Sequence, residues 1–337
     1  MTTNRRKFLL GMGALGTVSS LDYFGALNAL AQTANSDYKA LVCVFLYGGN
    51  DGNNTIIPVD GRYADYSKIR TANDIGLAKP AGAQLLNPAD GGAAQFGLHP
   101  ALAQLAPLYN AGKMAALFNV GTLLQPFKSA AEYKTAQFNQ LPANLFSHSD
   151  QQQQWESGIV TGYSRTGWGG RISDRMSAIN SAGPIPMIIS ASGSSLFMSG
   201  ENTSPLTIPS EGGFGINGFG DKPGSFYSPQ HEARYKALLE LMATDQEMAL
   251  VRGAGNIAKA SVDASVAISS TLNNAGTISE GVFNTAATPA LESYFARQML
   301  QIAKVIEGNG TLGLKRQIFF VQLGGFDTHN NHLQEQQ

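Results

Sequence analysis

Ala40-Leu41-Val42-Cys43-Val44-Phe45-Leu46-Tyr47 is an unbroken apolar run stopped by Gly48-Gly49. An apolar stretch of strand length that ends in glycine is how a strand buried on both faces of a parallel sheet reads. Residues 114–121, 186–190 and 316–323 repeat the pattern, each short, apolar and closed by Gly or Ser. Helical patterns lie between them. Residues 100–110 space Leu102, Leu105 and Leu108 three apart and close at Gly112, and 170–179 form a shorter amphipathic stretch. A longer pattern runs from 230 to about 254, with continuation to about 272. Residues 289–307 carry Leu291, Phe295, Met299, Ile302 and Ile306 on one face, with Pro289 at the start and Gly308 at the end. Proline opens helices and glycine closes them, so both ends are marked. Strands alternating with helices predict an α/β fold with a mostly parallel central sheet. Residues 192–228 break the rhythm with eight glycines and no period of either kind, which predicts a Gly/Pro-rich loop or small cap.

Composition bounds what such a fold can be. The chain has 337 residues, 43% of them hydrophobic, enough for a sizeable core. At roughly 150 residues per domain this is one large domain or two ordinary ones. Only 14% of residues are charged and the net charge is −1, which argues against a broad basic nucleic-acid surface. A single cysteine, Cys43, rules out an intramolecular disulfide and a cysteine-based zinc site, and its place in an apolar run reads as core packing.

The amino terminus reads as an address rather than as fold. Asn4-Arg5-Arg6-Lys7-Phe8-Leu9-Leu10 is a twin-arginine n-region, followed by a mildly apolar stretch and the small-x-small site Ala29-Leu30-Ala31. The apolar stretch from Leu9 to Leu30 carries Asp22 and four glycines, poor material for a membrane span that needs ~20 predominantly apolar residues. Residues 1–31 are therefore read as a twin-arginine signal peptide cut before Gln32, with a domain at 40–337 behind it. The expected location is periplasmic or secreted, with no stable membrane span after cleavage. Losing Arg5, Arg6, Lys7 and Asp22 moves the net charge from −1 to −3, as suits a soluble exported protein.

Three polar clusters fall where strands should end, the place where ligands bind in open α/β sheets. The first, Gly48-Gly49-Asn50-Asp51-Gly52-Asn53-Asn54, offers a hard oxygen ligand in Asp51, although Asn, Asp and Gly are also the commonest turn residues. The second, Gly324-Gly325-Phe326-Asp327-Thr328-His329-Asn330-Asn331-His332, holds one carboxylate and two of the five histidines, donors suited to a divalent metal or to a solvated loop. The third, Phe146-Ser147-His148-Ser149-Asp150, precedes a helix. There Ser147 reads either as an N-cap or as a nucleophile at a helix dipole, with His148 beside it. His99 before Pro100 reads as capping or packing.

Taken together these clusters resemble the domain-of-unknown-function family 1501, exported bacterial proteins with twin-arginine signals. The resemblance rests on Phe45-Leu46-Tyr47-Gly48-Gly49-Asn50-Asp51-Gly52-Asn53-Asn54, Leu98-His99-Pro100, Phe146-Ser147-His148, Trp155-Glu156-Ser157-Gly158, Gly167-Trp168-Gly169-Gly170-Arg171 and Gly324-Gly325-Phe326-Asp327-Thr328-His329. That family is in turn similar to the alkaline phosphatase and sulfatase superfamily. The resemblance implies a three-layer alkaline-phosphatase-like sandwich, with Asp51, Asp327 and His329 as ligands of a divalent metal (Zn, Mn, Ca or Mg); His332, from the second cluster, is a further candidate ligand. It also implies Ser147 as nucleophile; His148 beside it is a catalytic candidate from its own position, able to orient a nucleophile or to ligate a metal. The superfamily pair Asp-x-x-x-His is not kept, since Asn331 stands at the expected histidine, and its later ligands would fall beyond Gln337. A C-terminally truncated domain is expected for that reason.

Two functions follow as expectations. One is a metal-dependent hydrolase of phosphate or sulfate esters acting on a small-molecule ester. The other is a non-catalytic exported scaffold that keeps the fold and binds an exported partner protein. An oxidoreductase is disfavoured by the lack of a nucleotide fingerprint. Amino-terminal sequencing of the exported protein should begin at Gln32; an exported product beginning at Met1 would contradict the signal-peptide reading.

Overall fold

The structure, a computed structural model, describes residues 37–180, 183–214, 228–244, 247–273, 279, 283 and 293–336. The expected signal peptide and the beginning of the helix expected at 289 lie outside the described residues, as does 215–227 of the expected loop.

The described residues open with β1 (Lys39–Leu46), a short turn of helix α1 (Gly52–Thr55), β2 (Ile56–Pro58) and α2 (Tyr63–Thr71). Next come β3 (Leu85–Leu86) and β4 (Phe96–Leu98), then a 3₁₀ stretch, Pro100–Leu105, that runs into α3 (Ala106–Asn110). Helices α4 (Ala130–Thr135), α5 (His148–Ser157) and α6 (Trp168–Met176) lead to β5 (Ile188–Ser190) and β6 (Leu206–Thr207). Helices α7 (Pro229–Met242), α8 (Ala249–Leu272) and α9 (Tyr294–Glu307) precede β7 (Arg316–Leu323) and α10 (His332–Glu335). This is a mixed α/β fold with a mostly parallel four-stranded sheet in the order β1-β7-β5-β6. β5 pairs in parallel with both β6 and β7. Along β1 and β7 the bonds Lys39 N–H to Lys315 O and Tyr47 N–H to Leu323 O keep one offset, the mark of a parallel pair.

Two compact units divide the chain. One holds residues 37–44 and Ser164–Val321. Its core is β7, with Ile318, Phe319, Phe320 and Val321 all buried, together with α9. Ten residues of α9 are buried, so this helix is enclosed nearly all round and not only along the stripe its periodicity marks. Trp168 meets Phe197 edge-on at 4.5 Å, and Phe197 stacks on Phe320 at 5.5 Å. The glycines around Trp168 serve this packing: a Cβ at Gly170 would come within 2.2 Å of the Ser199 backbone. One turn on, Asp174 accepts the backbone N–H groups of Glu201, Asn202 and Thr203.

The other unit holds Phe45–Tyr163 and 322–336. It contains an antiparallel sheet in the order β2-β4-β3, with Ile56 opposite Leu98 and Leu86 opposite Phe96. Leu86, Leu98 and Ala106 form its buried centre, with Ile56, Leu102, Tyr109 and Met114 packed around them.

Three expectations are corrected. β1 is half-buried instead of enclosed on both faces, because it is the outermost described strand of its sheet and leaves Leu41 and Leu46 exposed. Residues 114–121 form no strand: Leu117, Phe118 and Val120 are exposed, Asn119 turns the backbone at φ +55°, and the apolar run has no ladder partner. The helical pattern from 230 onward is two helices, α7 and α8, with a break between Met242 and Ala249. Replacing Phe320 by Ala should lower unfolding free energy by about 3–5 kcal/mol, the usual loss for a buried phenylalanine. Chemical denaturation followed by Trp168 fluorescence checks this.

Candidate functional site

Every residue singled out in the polar clusters lies in the second unit. Gly48 and Gly49 have φ of +108° and +91°, which L side chains rarely adopt. The turn they make lies against the one that follows β7. Phe326 N–H donates to Tyr47 O at 3.2 Å, and a Cβ on Gly48 would sit 2.5 Å from the Asp327 nitrogen. The two acidic turns are thus in contact, as adjacent parallel strands require.

Their carboxylates, however, do not share a centre. Asp51 caps α1, its Oδ1 accepting from the N–H groups of Asn53 at 3.1 Å and Asn54 at 3.3 Å. Its Oδ2 accepts from the Arg70 guanidinium and lies 2.9 Å from His332 Nε2. Only 12% of the Asp51 side chain is exposed, and 15% of Arg70 and of His332. His332 Nδ1 lies 2.6 Å from Thr328 Oγ1. A carboxylate can only accept, so Nε2 carries the proton; the neutral ring then takes the Thr328 hydroxyl proton at Nδ1. Burial, and then the Arg70 charge, push the His332 pKa down, with Glu335 pulling weakly the other way.

The surroundings are equally committed. Asn54 donates to Ile75 O and accepts from the Tyr66 hydroxyl, which in turn accepts from Leu77 N–H. Asn50 donates to Thr55 Oγ1. His99 caps the 3₁₀ stretch, its Nδ1 accepting from Ala101 N–H, and its own N–H reaches Thr55 O. Burial, and then repulsion from a protonated His332, hold the His99 pKa down as well.

Asp327 is the centre of a different, open group. Its Oδ1 lies 3.1 Å from His329 Nε2 and 3.6 Å from His148 Nε2. The three side chains are 52%, 79% and 56% exposed, in the order Asp327, His329, His148. His148 begins α5, whose N-cap is Ser147. Ser147 Oγ accepts from Asp150 N–H at 3.4 Å and donates to Asp150 Oδ2 at 2.5 Å. The Ser147 hydroxyl, and then Asn144, keep the Asp150 carboxyl below its usual range. Phe146, just ahead, sits at φ +78°, a conformation a bulky residue holds only at a cost of order 1–3 kcal/mol. Farther along α5, the buried Glu156 accepts from the Tyr47 hydroxyl at 2.7 Å and ties the helix to the end of β1.

The expected metal ligands therefore fall into two pairs. Asp51 and His332 are engaged with each other, with Arg70 and with backbone, and do not fit a metal. Asp327 and His329 keep donors facing solvent. Among the described residues, no three His, Cys, Asp or Glu side chains are grouped to hold a metal ion. Sequence reasoning missed Arg70, which carries no motif, and it treated His99 apart from the cluster it adjoins. Comparison with family models, with curated proteins and with solved structures returned no match to this chain.

His99 and His332 both have pKa values below the unfolded histidine value near 6.5. The unfolded chain therefore binds more protons than the folded one as pH falls through that value, and stability must drop. Urea denaturation should show a lower midpoint at pH 5.5 than at pH 7.5, and His99→Gln should flatten the difference. A midpoint constant across that range would contradict the assignment.

Proposed function

We propose that the protein is an exported hydrolase of phosphate or sulfate esters that works at the open Asp327, His329 and His148 group. The observation that carries this reading is one carboxylate oxygen facing two exposed imidazoles at the start of a ten-residue helix, directly after a strained Phe146. A helix N-terminus favours an anionic group such as an ester phosphate or sulfate. A neutral His148 or His329 accepts the proton of an attacking water, and Asp327 steadies the imidazolium that forms. The water oxygen bonds to phosphorus or sulfur while the ester bond breaks, and the imidazolium returns a proton to the leaving oxygen. Asp150 stays ionised and holds the Ser147 proton without removing it, so water, more than Ser147, is the nucleophile this arrangement serves. Asp327 and His329 are also the donors that would hold a divalent cation, which would polarise the ester oxygen.

An alkaline-phosphatase-like three-layer sandwich and membership of family 1501 are part of the same proposal. Their support is the ordered set of motifs and the parallel strand order. Export to the periplasm or beyond rests on the amino-terminal pattern. No helix of the described residues is long and apolar enough to cross a membrane.

A second reading, a non-catalytic scaffold for an exported partner protein, is favoured by one observation: Ser147 is fully engaged as a helix cap. Assays with aryl phosphates and aryl sulfates, with and without added Zn²⁺ or Mn²⁺, separate the two. Hydrolysis should fall by about 10²–10⁴-fold in His148→Ala and Asp327→Ala, the usual worth of positioned acid–base groups. Absence of turnover by the wild type under all these conditions would leave the scaffold.

A further inference from the structure

The polar turn after β1 looks like a metal seat in sequence, yet in the fold it is already filled by its own chain. A carboxylate offers about four lone-pair directions. All four of Asp51 are used: two by the Asn53 and Asn54 N–H groups, one by Arg70 and one by His332 Nε2–H. His332 has no lone pair left either, because Nε2 carries a proton and Nδ1 takes that of Thr328. A divalent ion placed here would also meet the guanidinium at contact distance, and like charges at low exposure repel strongly.

We propose that Arg70 is the resident cation of this turn, supplying from within the chain the positive charge that a metal would otherwise bring to Asp51. Arginine suits the role because it stays charged when partly buried and its fork can hold a carboxylate oxygen while the stem packs. The consequence is a metal-independent lock. Through Asp51, Arg70 joins α2 to α1, and through His332 it joins both to the turn that carries Asp327 and His329. Arg70 is thus a positioning residue for that turn. The inference goes beyond the ester-hydrolase reading and survives if that reading fails, since it concerns Asp51 and not Asp327.

The experiment uses the full exported chain and four variants, Arg70→Met, Arg70→Lys, Asp51→Asn and Asp327→Asn. Metal content and melting temperature are measured with chelator and with added Zn²⁺. Asp327→Asn protein, which lacks the open donor pair, should keep its melting temperature in both, and Asp51→Asn should not change the metal content. Arg70→Met should melt several degrees lower and recover part of that loss with Zn²⁺, because Asp51 and His332 become an open donor pair. A purely structural arginine would give no such metal response. Arg70→Lys, which restores the charge, should remain insensitive to Zn²⁺. A stoichiometric metal that is lost in Asp51→Asn and kept in Asp327→Asn would overturn the proposal, as would a drop in melting temperature on chelation that persists in Asp327→Asn. These Asp51→Asn and Asp327→Asn measurements decide the matter even if Arg70→Met does not fold. Metal lost only in Asp327→Asn would bear on the hydrolase reading and leave this one standing.

Discussion

The second unit depends on one largely enclosed carboxylate. Asp51 draws hydrogen bonds from its own helix, from Arg70 on α2 and from His332 near the far end of the chain. Removing one partner from a buried ion pair leaves an uncompensated charge, typically a loss of 3–5 kcal/mol. Here two backbone donors and an imidazole share the oxygens, so the carboxylate is satisfied on every side. That degree of satisfaction is what lets a charge remain at 12% exposure.

The contact also explains why glycine stands at position 48. Parallel strands end together, and the chains leaving β1 and β7 must turn in the same confined space. With a left-handed φ at Gly48 and the Asp327 backbone where a Cβ would lie, any other residue would force the turns apart. Separation of the turns would pull His332 away from Asp51, so the local backbone choice and the ion pair support each other.

Much of the first layer of this arrangement was legible in the residues. β7 matches its apolar run end to end, because a central strand has no polar face to blur the signal. The meeting of the two Gly-Gly turns followed from strand adjacency. The short strands β2, β3 and β4 were not legible, since two or three residues carry no period, and only the packing of Leu86, Leu98 and Ala106 defines them. Residues 114–121 misled for the opposite reason: they have the composition of a strand and no neighbour to pair with. At the site, acidic and imidazole residues could be picked out, but not how they divide. That division is made by Arg70, a single cation within α2, and no spacing rule connects it to Asp51.

Exposure then assigns different work to the two carboxylates. At 4 Å a unit charge pair is worth about 1 kcal/mol in water and about 4 kcal/mol at the dielectric of a protein surface. Asp51 and Arg70, mostly buried, lie toward the stronger limit, and an ion pair of that strength holds structure but resists exchange. Asp327 and its two imidazoles, more than half exposed, lie toward the weaker one. A proton, an ester or a cation can displace those contacts at little cost and be released again, which turnover demands. On the proposed reading, chemistry falls to the open carboxylate and support to the closed one, even though both follow a strand and a pair of glycines.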